Sequence, residues 1–133
     1  MTVHPLLPGT ATGPVVVLDE PLSMWGGLDP ETGELIDRRH PQSGAMLAGC
    51  ILVLPSGRGS SSSASVLAEA IRLGTAPMAI VLAESDDIIL LGALVARELY
   101  GLVHPVVVAD EVTYRSLQTG ERVTIADAEL VRD

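Results

Sequence analysis

The sequence predicts an α/β fold in which short N-terminal β-strands pack on a parallel sheet with crossover helices. Two observations carry this. From about Cys50 onward, β-rich apolar runs alternate with helix-periodic segments: "CILVLP", "SSASVLAEAIRLG", "MAIVLA", "DDIILLGALVARELYG", "PVVVAD", "EVTYRSLQTG" and "RVTIA". Parallel sheets with crossover helices produce this alternation. The stretch before Cys50 has another texture, since Gly and Pro recur in it and its strand-like runs are short.

In chain order, Gly13 to Leu18 reads as a short strand, and "WGGLDPETGELID" as a glycine-rich loop turning at Asp29 to Gly33. The loop is expected to pack against the α/β half. The first helix carries Val66, Leu67, Ala70 and Ile71 on one face, and the second carries Ile88, Leu91, Val95 and Leu99; both faces are expected to pack on the sheet. Ser62 or Ser63 is expected to cap the first helix, and Ser85 or Asp86 the second, where Asp87 also meets the positive end of the macrodipole. Gly74 and Gly101 suit left-handed C-caps, and Pro77 and Pro105 precede the next strands.

The chain of 133 residues fits one domain, residues 1–133, with a modest core. Apolar residues form 47% of it but aromatics only 2%, with no Phe, so Val, Leu, Ile and Ala must build that core. The longest apolar runs, Ile51 to Leu54 and Met78 to Ala83, are far shorter than the ~20 residues of a membrane span. The N-terminus does not read as a signal peptide, so cytoplasmic residence is expected.

Lys+Arg total 8, all Arg, against 17 acidic residues, for a net charge of −9. A chain this acidic, with its charges scattered, is a poor nucleic-acid partner. The absence of Lys also removes Schiff-base and Walker-lysine chemistry. Cys50, the only cysteine, reads as a buried small residue and alone binds neither zinc nor an iron–sulfur cluster. The three histidines, His4, His40 and His104, each precede a proline and lack metal-ligand spacing. His40 reads as a loop organiser or interface residue. Trp25 is expected to be a core or loop anchor, or, as part of the longer motif Pro21 to Gly44, to face a cleft or partner, as Gly26 and Gly27 permit. Glu84 and Glu111 follow strands, where α/β folds place functional groups, although a solvated structural role is the simpler reading.

The segment with the most chemistry is "PSGRGSSSSASV", residues 55–66. It follows a predicted strand and opens a predicted helix, so backbone N–H groups near Ser60 to Ser63 should be unpaired and attract anions. Gly57 and Gly59 allow close approach, and Arg58 offers a planar fork for a carboxylate or phosphate. Helix capping and turn formation explain one serine and one glycine but not the arginine between glycines. A P-loop is excluded by the missing Lys, and a dinucleotide fingerprint by Ser62 where its third Gly belongs. The nucleophile-elbow pattern of serine hydrolases is absent.

This segment, extended through "GRGSSSSASVLAEAIRLGTAPMAIVLAE", and "PLSMWGGLDPETGELIDRRHPQSG", Pro21 to Gly44, together resemble the swivel-domain small subunit of aconitase X, a dehydratase group of the aconitase superfamily. The resemblance covers nearly the whole chain. It implies a swivelling β/β/α domain that closes over a large subunit, and an iron or iron–sulfur centre on that subunit, with no cofactor or metal bound by this chain. It also implies that Ser60 is the catalytic base of a hydro-lyase. Arg58, Gly59, Ser61 and Ser62 would then be substrate-binding. A free hydroxyl is a poor base, so the serine would act as an alkoxide held by helix-terminal N–H groups and Arg58. Ser61 is the alternative base. Family members dehydrate cis-3-hydroxy-L-proline or phosphomevalonate; the surroundings of the motifs favour the former, whereas Arg38 and Arg39 would serve the latter. Two other classes compete: an anion-binding regulatory module without chemistry, and a phosphohistidine carrier, for which no histidine is well placed.

Overall fold

The computed structural model describes residues 1–59 and 61–133, so Ser60 lies outside the described residues. Among these, seven strands form one sheet in the order β1-β5-β4-β3-β2-β6-β7. The strands are β1 His4–Leu7, β2 Thr10–Val17, β3 Ile51–Leu54, β4 Ala79–Leu82, β5 Val106–Val108, β6 Arg122–Ala126 and β7 Glu129–Arg132. The helices are α1 Ser62–Leu73, α2 Asp87–Tyr100 and α3 Glu111–Ser116. The centre is the predicted α/β core, with β2 to β5 paired in parallel and α1 and α2 as crossovers.

The N-terminal strands are expected to pack on this sheet, but they extend it edge to edge. Strand β2 does so by changing partners at its proline. Residues Thr10 to Pro14 pair antiparallel with β6, and Val15 to Val17 pair in parallel with β3. Pro14 has no N–H to donate, which suits a point where one ladder hands over to another. Strand β1 adds to the opposite side, antiparallel to β5.

The sheet curls so that β6 and β7 fold over the face opposite α1 and α2, where α3 also packs. One apolar cluster lies under α1 and α2, with Leu52, Leu54, Ile80, Leu82, Leu67 and Ile71; the other, with Ile51, Val53, Val81, Val107, Val123 and Ile125, lies under the curl. Every residue of β3 and β4 is therefore buried. This is why both read as unbroken apolar runs rather than alternating ones. The chain start completes the curl: Thr2 bridges Glu129, Val3 N–H donates to Ala128 O at 2.8 Å, and Leu130 N–H donates to Met1 O at 2.7 Å.

The first helix buries Leu67, Ala70 and Ile71 as expected. The second does not bury the stripe of large residues. Its buried face is Ile89, Gly92, Ala93 and Ala96, while Leu91 and Leu99 are 45% and 67% exposed. Close helix packing decides this, because a Cβ on Gly92 would lie 2.9 Å from Ala64 O and 3.1 Å from the Leu67 side chain. The small residues must face α1, which turns the larger ones outward. The capping expectation for α1 is also corrected. Its N-cap is Ser61, in helical conformation and without a side-chain cap bond, and the Ser63 hydroxyl is engaged elsewhere. Asp86 caps α2, and Gly74 and Gly101 are left-handed C-caps.

Candidate functional site

The turn after β3 is held by the backbone and by one carboxylate. Gly57 forms a parallel bridge with Leu22, and Arg58 N–H donates to Leu22 O at 3.1 Å. Gly57 N–H donates to Asp86 Oδ2 at 3.0 Å, while Asp86 Oδ1 accepts from Ile89 N–H at 2.9 Å. One side chain thus caps α2 and ties the turn to it. A Cβ on Gly57 would lie 2.9 Å from Asp86 Oδ2 and 3.1 Å from Ile89 Cδ1, so a larger residue would displace this carboxylate.

A ring of hydrogen bonds joins the turn region to the "SMWGG" loop. Trp25 N–H donates to Ser63 Oγ at 3.3 Å, Ser63 and Ser23 hydroxyls are 3.0 Å apart, and Ser23 Oγ–H donates to Trp25 O at 3.0 Å. With the Ser23 hydrogen directed to Trp25 O, Ser63 must be the donor to Ser23, so the ring runs in one direction. Ser63 is only 3% exposed. Gly59, at φ 107°, closes against the ring, for a Cβ there would meet Ser23 Oγ at 2.7 Å. Hence one serine of the run serves neither as cap nor as anion ligand: it fixes the tryptophan loop.

The far end of that loop is clasped to the segment just after β2. Gln42 Oε1 accepts from Asp19 N–H at 3.0 Å and Gln42 Nε2 donates to Asp19 Oδ2 at 2.7 Å. His40, 6% exposed, accepts from Gln42 N–H through Nδ1 at 3.1 Å, which leaves Nε2, 3.1 Å from Glu20 O, as the donor. Both ring nitrogens are spent on backbone, so His40 is the loop organiser the sequence indicates.

These contacts shape a cleft of about 550 Å³ lined by Glu20, Ser23, Trp25, Gly26, Asp37, Arg39, His40, Arg58 and Gly59. Of the predicted binding residues, Arg58 and Gly59 line it, as does Arg39. Ser61 and Ser62 line a separate concavity of about 310 Å³ between α1 and α2, with Ala64, Ser65, Leu91 and Val95. The predicted base, Ser60, falls outside the described residues. Among the described residues no ion pair involves Arg38, Arg39 or Arg58.

The other candidates sit apart from the cleft. Glu84 is exposed, and Glu111 pairs with Arg115 at 2.7 Å along α3. His4 is exposed at the start of β1, and His104 Nδ1 lies 2.6 Å from Pro77 O. Cys50 is buried, and desolvation pushes its thiol up to about 12, far from a reactive thiolate. No group of three or more His, Cys, Asp or Glu side chains among the described residues is arranged to hold a metal ion. Ser23, Ser63 and the second bond of Asp86 had no distinguishing mark in the sequence, because each acts through a contact distant along the chain.

A family model described as the aconitase X swivel domain matches residues 1–132. Over 101 residues the chain is 50% identical to the cis-3-hydroxy-L-proline dehydratase of Pseudomonas aeruginosa, covering 76% of this chain and 17% of that protein. It is 42% identical over 88 residues to the phosphomevalonate dehydratase small subunit of Methanothermobacter thermautotrophicus, covering 66% of this chain and 67% of that subunit. The crystal structure of holo-form aconitase X from Thermococcus kodakaraensis superposes with a TM-score of 0.87 at 32% identity, over 99% of this chain and 96% of that one. The chain therefore spans under a fifth of the length of the P. aeruginosa dehydratase it matches.

Proposed function

From the premise that this chain belongs to the aconitase X swivel-domain family, we propose that it acts as a single swivelling domain, the small subunit of a hydro-lyase. In this reading it closes over a large subunit and is inactive alone. The substrate is a hydroxy acid, cis-3-hydroxy-L-proline in first place, as for the relative of highest identity quoted above. The observation that carries the reading is the stitching of two sequence motifs around one cleft, by Arg58 to Leu22 and by Ser63 to Ser23 and Trp25.

Ser60 is the base. As the alkoxide it takes the proton from the carbon beside the substrate carboxylate and becomes the neutral hydroxyl, while the substrate hydroxyl leaves as hydroxide and is released as water once it takes up a proton on the large-subunit side. The iron or iron–sulfur centre that the family implies belongs to the large subunit. Arg58 lends its fork to the carboxylate, whose charge grows as the C–H bond breaks, and a preorganised donor of this kind is worth roughly 2.7–4 kcal/mol in a transition state. Ser61 lines the other concavity, which supports Ser60 over Ser61. Ser61 and Ser62 supply first-turn N–H groups rather than hydroxyl contacts, and no side chain caps that turn at Ser61.

The test is anaerobic co-expression with the large subunit, assayed on cis-3-hydroxy-L-proline and on phosphomevalonate, with Ser60→Ala alongside. Activity should need both chains and fall by at least about a hundredfold in the variant. A complex that forms and turns over equally with Ser60→Ala would remove the serine base. Turnover of phosphomevalonate alone would change the substrate.

A further inference from the structure

Trp25 is the only tryptophan of the chain, and it is 65% exposed. A large aromatic left in solvent is unusual where Leu22, Met24 and Leu28 around it are fully buried. Nor is it loosely held: its N–H and its C=O are both fixed by the ring through Ser63 and Ser23. The fold thus spends a buried serine of α1 on presenting an indole at the rim of the cleft.

The charges of that cleft are mixed. Arg39 and Arg58 line it with no ion-pair partner among the described residues. Glu20 and Asp37 line it as well. Asp37 Oδ1 accepts from Arg39 N–H at 3.0 Å, which leaves Oδ2 open, and the Glu20 side chain is in an exposed residue. A ligand carrying only negative charge would meet two carboxylates here. A zwitterion would meet complementary groups for both of its ends, and an indole face attracts a cation.

We propose that Trp25, flanked by Glu20 and Asp37, forms the subsite for the ring ammonium of an amino-acid substrate, while the arginines of the cleft take its carboxylate. This rests on the hydro-lyase reading and adds to it the residues that would distinguish a zwitterionic hydroxy acid from a phosphorylated one. Trp25 is then a binding residue that sets specificity, and Ser23 and Ser63 are positioning residues acting through it.

The test uses the two-subunit complex with Trp25→Leu and Trp25→Phe. Two competitive inhibitors of similar shape are compared, L-proline, which carries the ammonium, and cyclopentanecarboxylate, which lacks it. In Trp25→Leu the inhibition constant of L-proline should weaken by roughly 3- to 30-fold, with Trp25→Phe in between, while that of cyclopentanecarboxylate moves less than about twofold. The KM for cis-3-hydroxy-L-proline should follow the L-proline constant. Equal weakening of both inhibitors, or of neither, overturns the subsite. So does separation of the two chains by Trp25→Leu on gel filtration, which would make the indole an interface anchor. The wild-type assay distinguishes the two failures: a complex that never turns over the amino acid refutes the underlying reading before any variant is compared.

Discussion

Asp86 offers the sharpest check on how the turn is held, because its two carboxylate oxygens perform separable tasks. Asp86→Ala removes the cap on α2, worth about 1 kcal/mol. It also removes the bond to Gly57 N–H, which as a hydrogen bond to a charged group is worth roughly 1.5–3 kcal/mol. Asp86 is half-buried, so the lower part of that range applies, and the sum is about 2.5–3 kcal/mol. For a chain of this length that is a fall in Tm on the order of 10 °C. Asp86→Asn separates the terms. Its amide oxygen still caps Ile89 N–H, but its NH₂ then faces Gly57 N–H, donor against donor. The loss should be about 1–2 kcal/mol with the helix cap intact. Thermal and urea unfolding of the chain, followed by far-UV circular dichroism, measure both. Should Asn melt like the wild type while Ala is down by a cap alone, the contact to Gly57 contributes nothing and the turn is held by Leu22 only.

The hydroxyl ring predicts a contrast between neighbours. Ser63→Ala leaves Trp25 N–H and Ser23 short of a partner in a part-buried place and should cost about 1–2 kcal/mol, whereas exposed Ser62→Ala should stay within about 0.5 kcal/mol; equal melts for the two would refute the ring. Cys50 gives a pH dependence. Its folded pKa is raised from 9.0 to about 12, so the folded state holds the proton more tightly and the contribution is fully present below pH 9. It is lost as pH rises from 9.0 towards 12, and Cys50→Ala should flatten that part of the stability profile measured by urea unfolding.

What could be read from the sequence was whatever is local or periodic. Gly74, Gly101 and Asp86 end or begin helices through contacts within a turn of themselves, and β3 and β4 declare double burial by unbroken apolar runs. The orientation of α2 was not legible. Its large and small apolar stripes both follow the helical period, and only the close approach of Gly92 to Ala64 on another helix selects between them. The site divides in the same way. Arg58 and Gly59 stand out because a charged fork between glycines has few other uses. Ser63 looks identical to its three neighbours until Ser23, 40 residues earlier, is brought beside it. Glu20 and Asp37, which give the cleft its second sign of charge, read as ordinary loop acids in an acidic chain.

The pairing of Met1 to Val3 with β7 has a consequence for how this molecule meets others. An open sheet edge presents a row of unpaired backbone groups on which a second chain can add a strand, as aggregates and domain-swapped dimers do. Here Thr2 and Glu129 join the two margins, and the Met1 ammonium donates to Leu130 O at 2.7 Å. The seam covers the start of β7 at Glu129 and Leu130, and at the opposite margin β1 is only four residues long. Strand addition therefore finds less template along β7, and the seam ties the chain start and the last strand into one unit.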